Sequence, residues 1–121
     1  ILVSDVTHFI GMDPGNYVFL GSDIVLSADG LIKNPVLNCL AGASFPLRSG
    51  VGNVMKFTGY SMGEAIDLAT RNVSAACRIT DRGSLEPGKR ADLIIFQMED
   101  YRMSIKKVIV NGKDNSSGSK N

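Results

Sequence analysis

Asp5 is the first residue whose type and place suggest chemistry. It closes the run Ile1-Leu2-Val3-Ser4, which is short, apolar and β-branched in part. Such a run reads as a buried parallel strand ending at Ser4-Asp5. In a (β/α)8 barrel, side chains at the carboxyl ends of the strands face the active site. A carboxylate there is a candidate for general acid–base chemistry. An aspartate at this position equally well caps a loop or a helix, and the local pattern leaves both uses open. The second candidate is Leu40-Ala41-Gly42-Ala43. The small side chains of Ala41, Gly42 and Ala43 let a ligand approach the backbone amides closely. It also reads as a plain turn into a helix capped by Ser44.

Other chemistry is poorly provided for. His8 is the sole histidine, and one histidine cannot build a multi-histidine metal site. Asp13 and Asp23 add carboxylates without ligand spacing, and His8 is expected in a loop at the rim of a site. Cys39 and Cys77 lie far apart, outside any C-x-x-C pattern, among apolar neighbours. Buried free thiols are expected. Gly50-Val51-Gly52 lacks the third glycine of a dinucleotide loop, and no G-x-S-x-G elbow is present. Asn72-Val73-Ser74 and Asn115-Ser116-Ser117 are glycosylation sequons by pattern only. A formal net charge of +1 and the absence of Trp point away from a nucleic-acid partner. No apolar run approaches the length of a membrane span, and the N-terminus has no basic leader region; a cytoplasmic location is expected.

The elements that must position these residues follow from turn chemistry and periodicity. Gly11 to Asn16 form a loop. Tyr17 to Leu20, Ile24 to Ser27 and Leu31 to Lys33 read as strands, with Asp29-Gly30 as a hairpin turn. Residues 35 to 44 are predicted irregular. Leu47, Val51, Val54, Met55 and Thr58 follow helical spacing, and Gly59 is placed to stop that helix. Ser61-Met62-Gly63-Glu64 spells a capping box for a second helix with Met62, Ala65, Ile66 and Ala69 inward. Asn72 is the expected cap of a short third helix. Pro87-Gly88 suits the centre of a type II turn. Strands are expected over 91–97 and 103–110, with a bulge at Lys106-Lys107, where the alternation slips. Asn111-Gly112 marks another turn, and 113–121 reads as a disordered polar tail.

Three segments carry a resemblance. Gly83 to Leu93, Gly-Ser-Leu-Glu-Pro-Gly-Lys-Arg-Ala-Asp-Leu, resembles the G-x-L-x-x-G-x-x-A-D-[LIF] segment of metal-dependent amidohydrolases. There it leads from a catalytic (β/α)8 barrel into a small β-domain. Leu2-Val3-Ser4-Asp5 and Leu40-Ala41-Gly42-Ala43 precede it in the order and spacing of the L-V-[TS]-D and L-[AS]-G-[SA] motifs. Together they resemble the carboxyl-terminal third of the N-acetylglucosamine-6-phosphate deacetylase family.

That resemblance implies an α/β fragment: the last strand and helix unit of an amidohydrolase barrel over 1–82, with an inserted β-hairpin at 16–33, then small β-domain strands over 83–112. The chain has 121 residues, against roughly 250 for a complete barrel. Asp5 would be the family's proton shuttle, and Leu40, Ala41, Gly42 and Ala43 would meet the bound sugar, with Ala43 in place of a frequent serine. The divalent metal, zinc or iron, would be held by residues of earlier barrel strands, and none is expected on this stretch alone. The implied partners are an amino-sugar phosphate, the remainder of the barrel and further copies of the enzyme. The stretch alone is expected to be inactive. Two other readings compete: a cyclic amide hydrolase of the dihydroorotase or hydantoinase type, and a non-catalytic assembly module. Asp92, within the terminal motif, is expected to fix backbone rather than do chemistry.

Overall fold

A computed structural model describes residues 1–116. The chain divides into two compact units, Val3–Leu47 and Ile1–Leu2 with the chain from Arg48 onward. Among the described residues the strands form two antiparallel sheets, of four and three strands, alongside three helices.

In the unit Val3–Leu47, β1 (Gly15–Phe19), β2 (Ser22–Leu26), β3 (Leu31–Asn34) and β4 (Cys39–Ala43) run as a meander in that order. Period-2 alternation puts Ile24 and Leu26 on one face, where they meet Ile32 and Phe9 in a closed core flanked by Tyr17 and Ala41. Asp29 and Gly30 form the expected turn: the Gly30 amide donates to Ser27 (2.9 Å), and the Leu31 amide to the Asp29 carboxylate (3.2 Å). Hydrogen bonding to Ser27 and the Leu31 amide holds the Asp29 carboxyl below the usual carboxylate range. Buried Asn34 accepts from the amides of Val36 (3.0 Å) and Leu37 (2.9 Å), which offsets the cost of burying its side chain.

Two expectations are corrected in this unit. The segment 35–44 is not irregular throughout; it contains β4, so the hairpin at 16–33 is half of a four-stranded sheet. No β-branched residue marks β4, and its pairing with β3 comes from tertiary context. Conversely, Ile1-Leu2-Val3 is not in a sheet, and Val3 is 73% exposed. A parallel strand takes its ladder from neighbours on either side, and here only Val6 pairs, in parallel with Ala43.

The second unit contains α1 (Leu47–Thr58) from Arg48 on, α2 (Met62–Ala69), α3 (Arg71–Ala76), β5 (Leu93–Glu99), β6 (Arg102–Val110) and β7 (Lys113–Asp114). Its core joins Val51, Ala65 and Met103, with Leu2, Ile66, Phe96 and Met98 around them. The α2 capping box is present: the Glu64 amide donates to Ser61 Oγ (3.3 Å), and the Ser61 amide to Glu64 Oε2 (2.9 Å). The Ser61 hydroxyl, which donates to Glu64 Oε2 at 2.7 Å, and then the Ser61 amide lower the Glu64 carboxyl from its ordinary value. Met62, expected inward, is 44% exposed. The third helix begins at Arg71 rather than after Asn72, and α3 buries no residue. Cys77 therefore lies exposed at its end, and Cys39 is exposed on β4, so the expected burial of both thiols is corrected. Apolar neighbours in sequence predict burial only where the element turns them inward.

The terminal motif forms the expected turn, with the Lys89 amide donating to Glu86 (3.2 Å) across Pro87-Gly88. Asp92 fixes backbone as read: its Oδ1 accepts from the Asn111 amide (2.7 Å) and Arg90 Nε (3.0 Å). In the β5–β6 ladder Ile95 faces Lys107 and Phe96 faces Ile105, leaving Lys106 as the bulged residue. The polar tail begins later than expected, since Lys113 and Asp114 pair with Val110 and Ile109; its residues 117–121 lie outside the described residues. No helix among the described residues is long and apolar enough to cross a membrane.

Gly52 shows why a glycine sits inside α1. The two-residue turn Asp100-Tyr101, with φ of 45° and 61°, brings the Tyr101 carbonyl onto the helix. A methyl at Gly52 would overlap that oxygen and stand 2.9 Å from the carbonyl carbon. Gly52→Ala is expected to cost about 3 kcal/mol of stability, as overpacking against rigid backbone does. Urea unfolding checks this, and an unchanged midpoint would contradict the close approach.

Asp114 offers a titration. The Ser116 hydroxyl and amide, then Lys107 Nζ at 3.0 Å, hold its carboxyl at about 2, down from 3.8. Because the folded value is depressed, its contribution to holding β7 is complete above the unfolded value and lost as pH falls toward about 2. Carboxyl NMR should place the midpoint there, and Ser116→Ala should move it upward.

Candidate active site

Asp5 and the segment Leu40–Ala43 are brought together by backbone hydrogen bonds. The Ala43 amide donates to the Asp5 carbonyl (2.9 Å), and the Thr7 amide donates to the Ala43 carbonyl (2.8 Å). These two bonds make the parallel bridge between Val6 and Ala43, on the far side of Ala43 from its pairing with Leu31. The last residue of β4 is thus held from both sides.

Asp5 has φ of 45°, in the left-handed region. Aspartate tolerates that region better than most residues, yet such conformations persist only where the surroundings impose them. Its side chain is exposed. Asp5 Oδ2 lies 3.9 Å from the point a Gly42 methyl would occupy, so the carboxylate stands over the one residue without a side chain. Gly42 has φ of 91°, and a methyl there would come 2.5 Å from Thr7 Cγ2 and 3.2 Å from the Asp5 carbonyl. Two independent demands, sign of φ and close approach, require glycine at 42.

The four residues of the loop differ in their surroundings. Leu40 is 64% exposed and pairs with Lys33, whereas Ala41 packs against the core of Phe9, Ile24, Leu26 and Ile32. Gly42 and Ala43 are half-buried beside Asp5. Ser44 donates its hydroxyl to the Gly30 carbonyl rather than capping α1, so the turn-and-cap reading of this stretch is corrected. His8 packs at a tilt against Phe9 (centroids 4.0 Å apart) and Phe19 (4.5 Å), as part of an aromatic group with Tyr17. Thr7 was not singled out by sequence reading, although a hydroxyl two residues after the aspartate was its one visible signal.

Among the described residues no three of His, Cys, Asp and Glu gather to hold a metal ion. Asp5 is a single carboxylate and His8 a single imidazole. The residues present do not by themselves fit a divalent metal. What the arrangement can do is present one exposed carboxylate beside a half-buried stretch of small residues.

The chain belongs to the amidohydrolase family, whose model matches residues 1–114. Within it, the resemblance read from Leu2–Asp5, Leu40–Ala43 and Gly83–Leu93 is borne out by deacetylases of amino-sugar phosphates. The structure is similar to N-acetylglucosamine-6-phosphate deacetylase from Thermotoga maritima, with a TM-score of 0.81 and 27% identity over 93% of this chain and 30% of that one. The enzyme of the same name from Pasteurella multocida gives a TM-score of 0.79 at 28% identity, over 93% of this chain and 29% of that one. N-acetylgalactosamine-6-phosphate deacetylase of Escherichia coli O157:H7 is 25% identical over 114 residues, 93% of this chain and 29% of its own length. The chain therefore spans under a third of each of these three proteins.

Gly42→Ala is expected to destabilise the unit Val3–Leu47 by about 2 kcal/mol or more, the order of a strained backbone plus a steric clash. Amide exchange at Ala43 should quicken along with it. Wild-type exchange and stability in this variant would contradict the contact of Gly42 with Thr7.

Proposed function

We propose that the chain is the carboxyl-terminal part of an amidohydrolase that converts N-acetylglucosamine 6-phosphate and water to glucosamine 6-phosphate and acetate. On this reading residues 1–82 close a (β/α)8 barrel and 83–112 belong to a small β-domain. The observation that carries it is the placement of the Asp5 carboxylate against Gly42, joining the two motifs that lie far apart in sequence. The similarity to amino-sugar-phosphate deacetylases over 93% of the chain supports the substrate class.

Asp5 is the proposed proton shuttle. Its carboxylate accepts a proton from the attacking water as the water oxygen bonds to the acetamido carbon. It then delivers that proton to the amine nitrogen as the C–N bond breaks, releasing acetate and the free amine. Leu40, Ala41, Gly42 and Ala43 are the proposed sugar-facing stretch on the strength of their match to the L-[AS]-G-[SA] motif and their place beside Asp5. The divalent metal that the family implies, zinc or iron, would polarise the carbonyl. Its ligands are proposed to lie in the rest of the barrel, because the described residues hold no such set. The 121-residue chain alone is accordingly proposed to be inactive.

The test is Asp5→Asn in the full-length enzyme, assayed for acetate release from the gluco and galacto forms of the substrate. Turnover should fall by about 10²–10⁴ with little change in KM, as for loss of general acid–base catalysis. Undiminished turnover would exclude the shuttle, and a wild type inert toward both sugars would exclude the deacetylase reading.

A further inference from the structure

Resting on the proposed role of Asp5, a further residue of the site can be assigned from geometry. Thr7 meets Ala43 twice, its amide donating to the carbonyl at 2.8 Å and its hydroxyl donating to the same oxygen at 3.3 Å. The hydroxyl oxygen also accepts from the Phe9 amide at 3.4 Å. The methyl of Thr7 fills the space over Gly42 that any Cβ there would need. Asp5, two residues earlier, receives the Ala43 amide on its carbonyl and holds φ of 45°.

We propose that Thr7 is a positioning residue: by gripping the Ala43 carbonyl with amide and hydroxyl, it locks the Asp5 backbone in its left-handed conformation and keeps the carboxylate over Gly42. A left-handed aspartate relaxes readily unless its neighbours forbid it. Among the described residues, the segment 5–7 is held to β4 by two backbone bonds, and the Thr7 hydroxyl makes the one side-chain hydrogen bond between them. Threonine supplies both parts of the grip. Serine keeps the hydrogen bond without the methyl, and valine keeps the shape without the hydrogen bond.

The two replacements therefore separate the roles. In the full-length enzyme, Thr7→Val should lower kcat about tenfold with KM within about twofold, the order of one lost hydrogen bond at a reacting group's support. Thr7→Ser should recover most of that loss. Exchange of the Ala43 amide, read by NMR or mass spectrometry, should quicken about three- to tenfold in Thr7→Val and much less in Thr7→Ser. The proposal is overturned if valine supports wild-type kcat, or if serine and valine lose activity equally in step with melting temperature. It is also overturned if Ala43 exchange is the same in all three proteins. A wild type that leaves the sugar phosphates untouched would reject the deacetylase reading instead, and the exchange comparison would then decide on the grip alone.

Discussion

Two backbone hydrogen bonds, Ala43 to Asp5 and Thr7 to Ala43, carry the arrangement on which the site depends. They span the β-ribbon that separates the two motifs and bring them within contact. Each bond is of ordinary strength, with a net value of about 1 kcal/mol. Their effect comes from placement: Ala43 is already fixed on its other edge by Leu31 of β3. The segment Asp5–Thr7 is thereby registered against a sheet whose core is closed by Phe9 and Ile32. Glycine at 42 is the condition for this, since a side chain would intrude on both Thr7 and the Asp5 carbonyl.

The unit from Arg48 onward follows a related logic with different parts. There a turn of two left-handed residues, Asp100 and Tyr101, reaches α1 at Gly52. Charged side chains order the terminal motif: Arg82 pairs with Asp81 at 2.9 Å, and Asp92 ties Arg90 to the start of the Asn111 turn. Asp81 is exposed and Arg82, Arg90 and Asp92 are half-buried, and pairs this close to solvent contribute little stability one by one. Their role in the motif is geometric, fixing how the chain leaves the Pro87-Gly88 turn and enters β5.

Local chemistry was the legible part of the sequence. Ser61 and Glu64 announce a helix start, Pro87-Gly88 and Asp29-Gly30 announce turns, and the slip at Lys106 announces a bulge; each signal is contained within a few residues. The catalytic candidate and its loop were legible only through resemblance, since Asp5 alone reads equally well as a cap. What the sequence did not disclose depends on partners far along the chain. β4 has no strand-forming residue pattern and exists because β3 and Val6 pair with Ala43. Asp100-Tyr101 lacks glycine, so its tight turn gave no signal. Cys39 and Cys77 sit in apolar sequence but on outward surfaces. Thr7 becomes visible only when Gly42 is folded against it.

A crystal structure of the proposed full-length deacetylase with a tetrahedral analogue of amide hydrolysis on the proposed amino-sugar phosphate would test the central claim most directly. The expected result is an Asp5 carboxylate oxygen about 3 Å from the tetrahedral group, the reach required for proton transfer, with the Ala41–Ala43 backbone along the sugar. An analogue bound away from residues 40–43, with the Asp5 side chain turned to solvent, would contradict it.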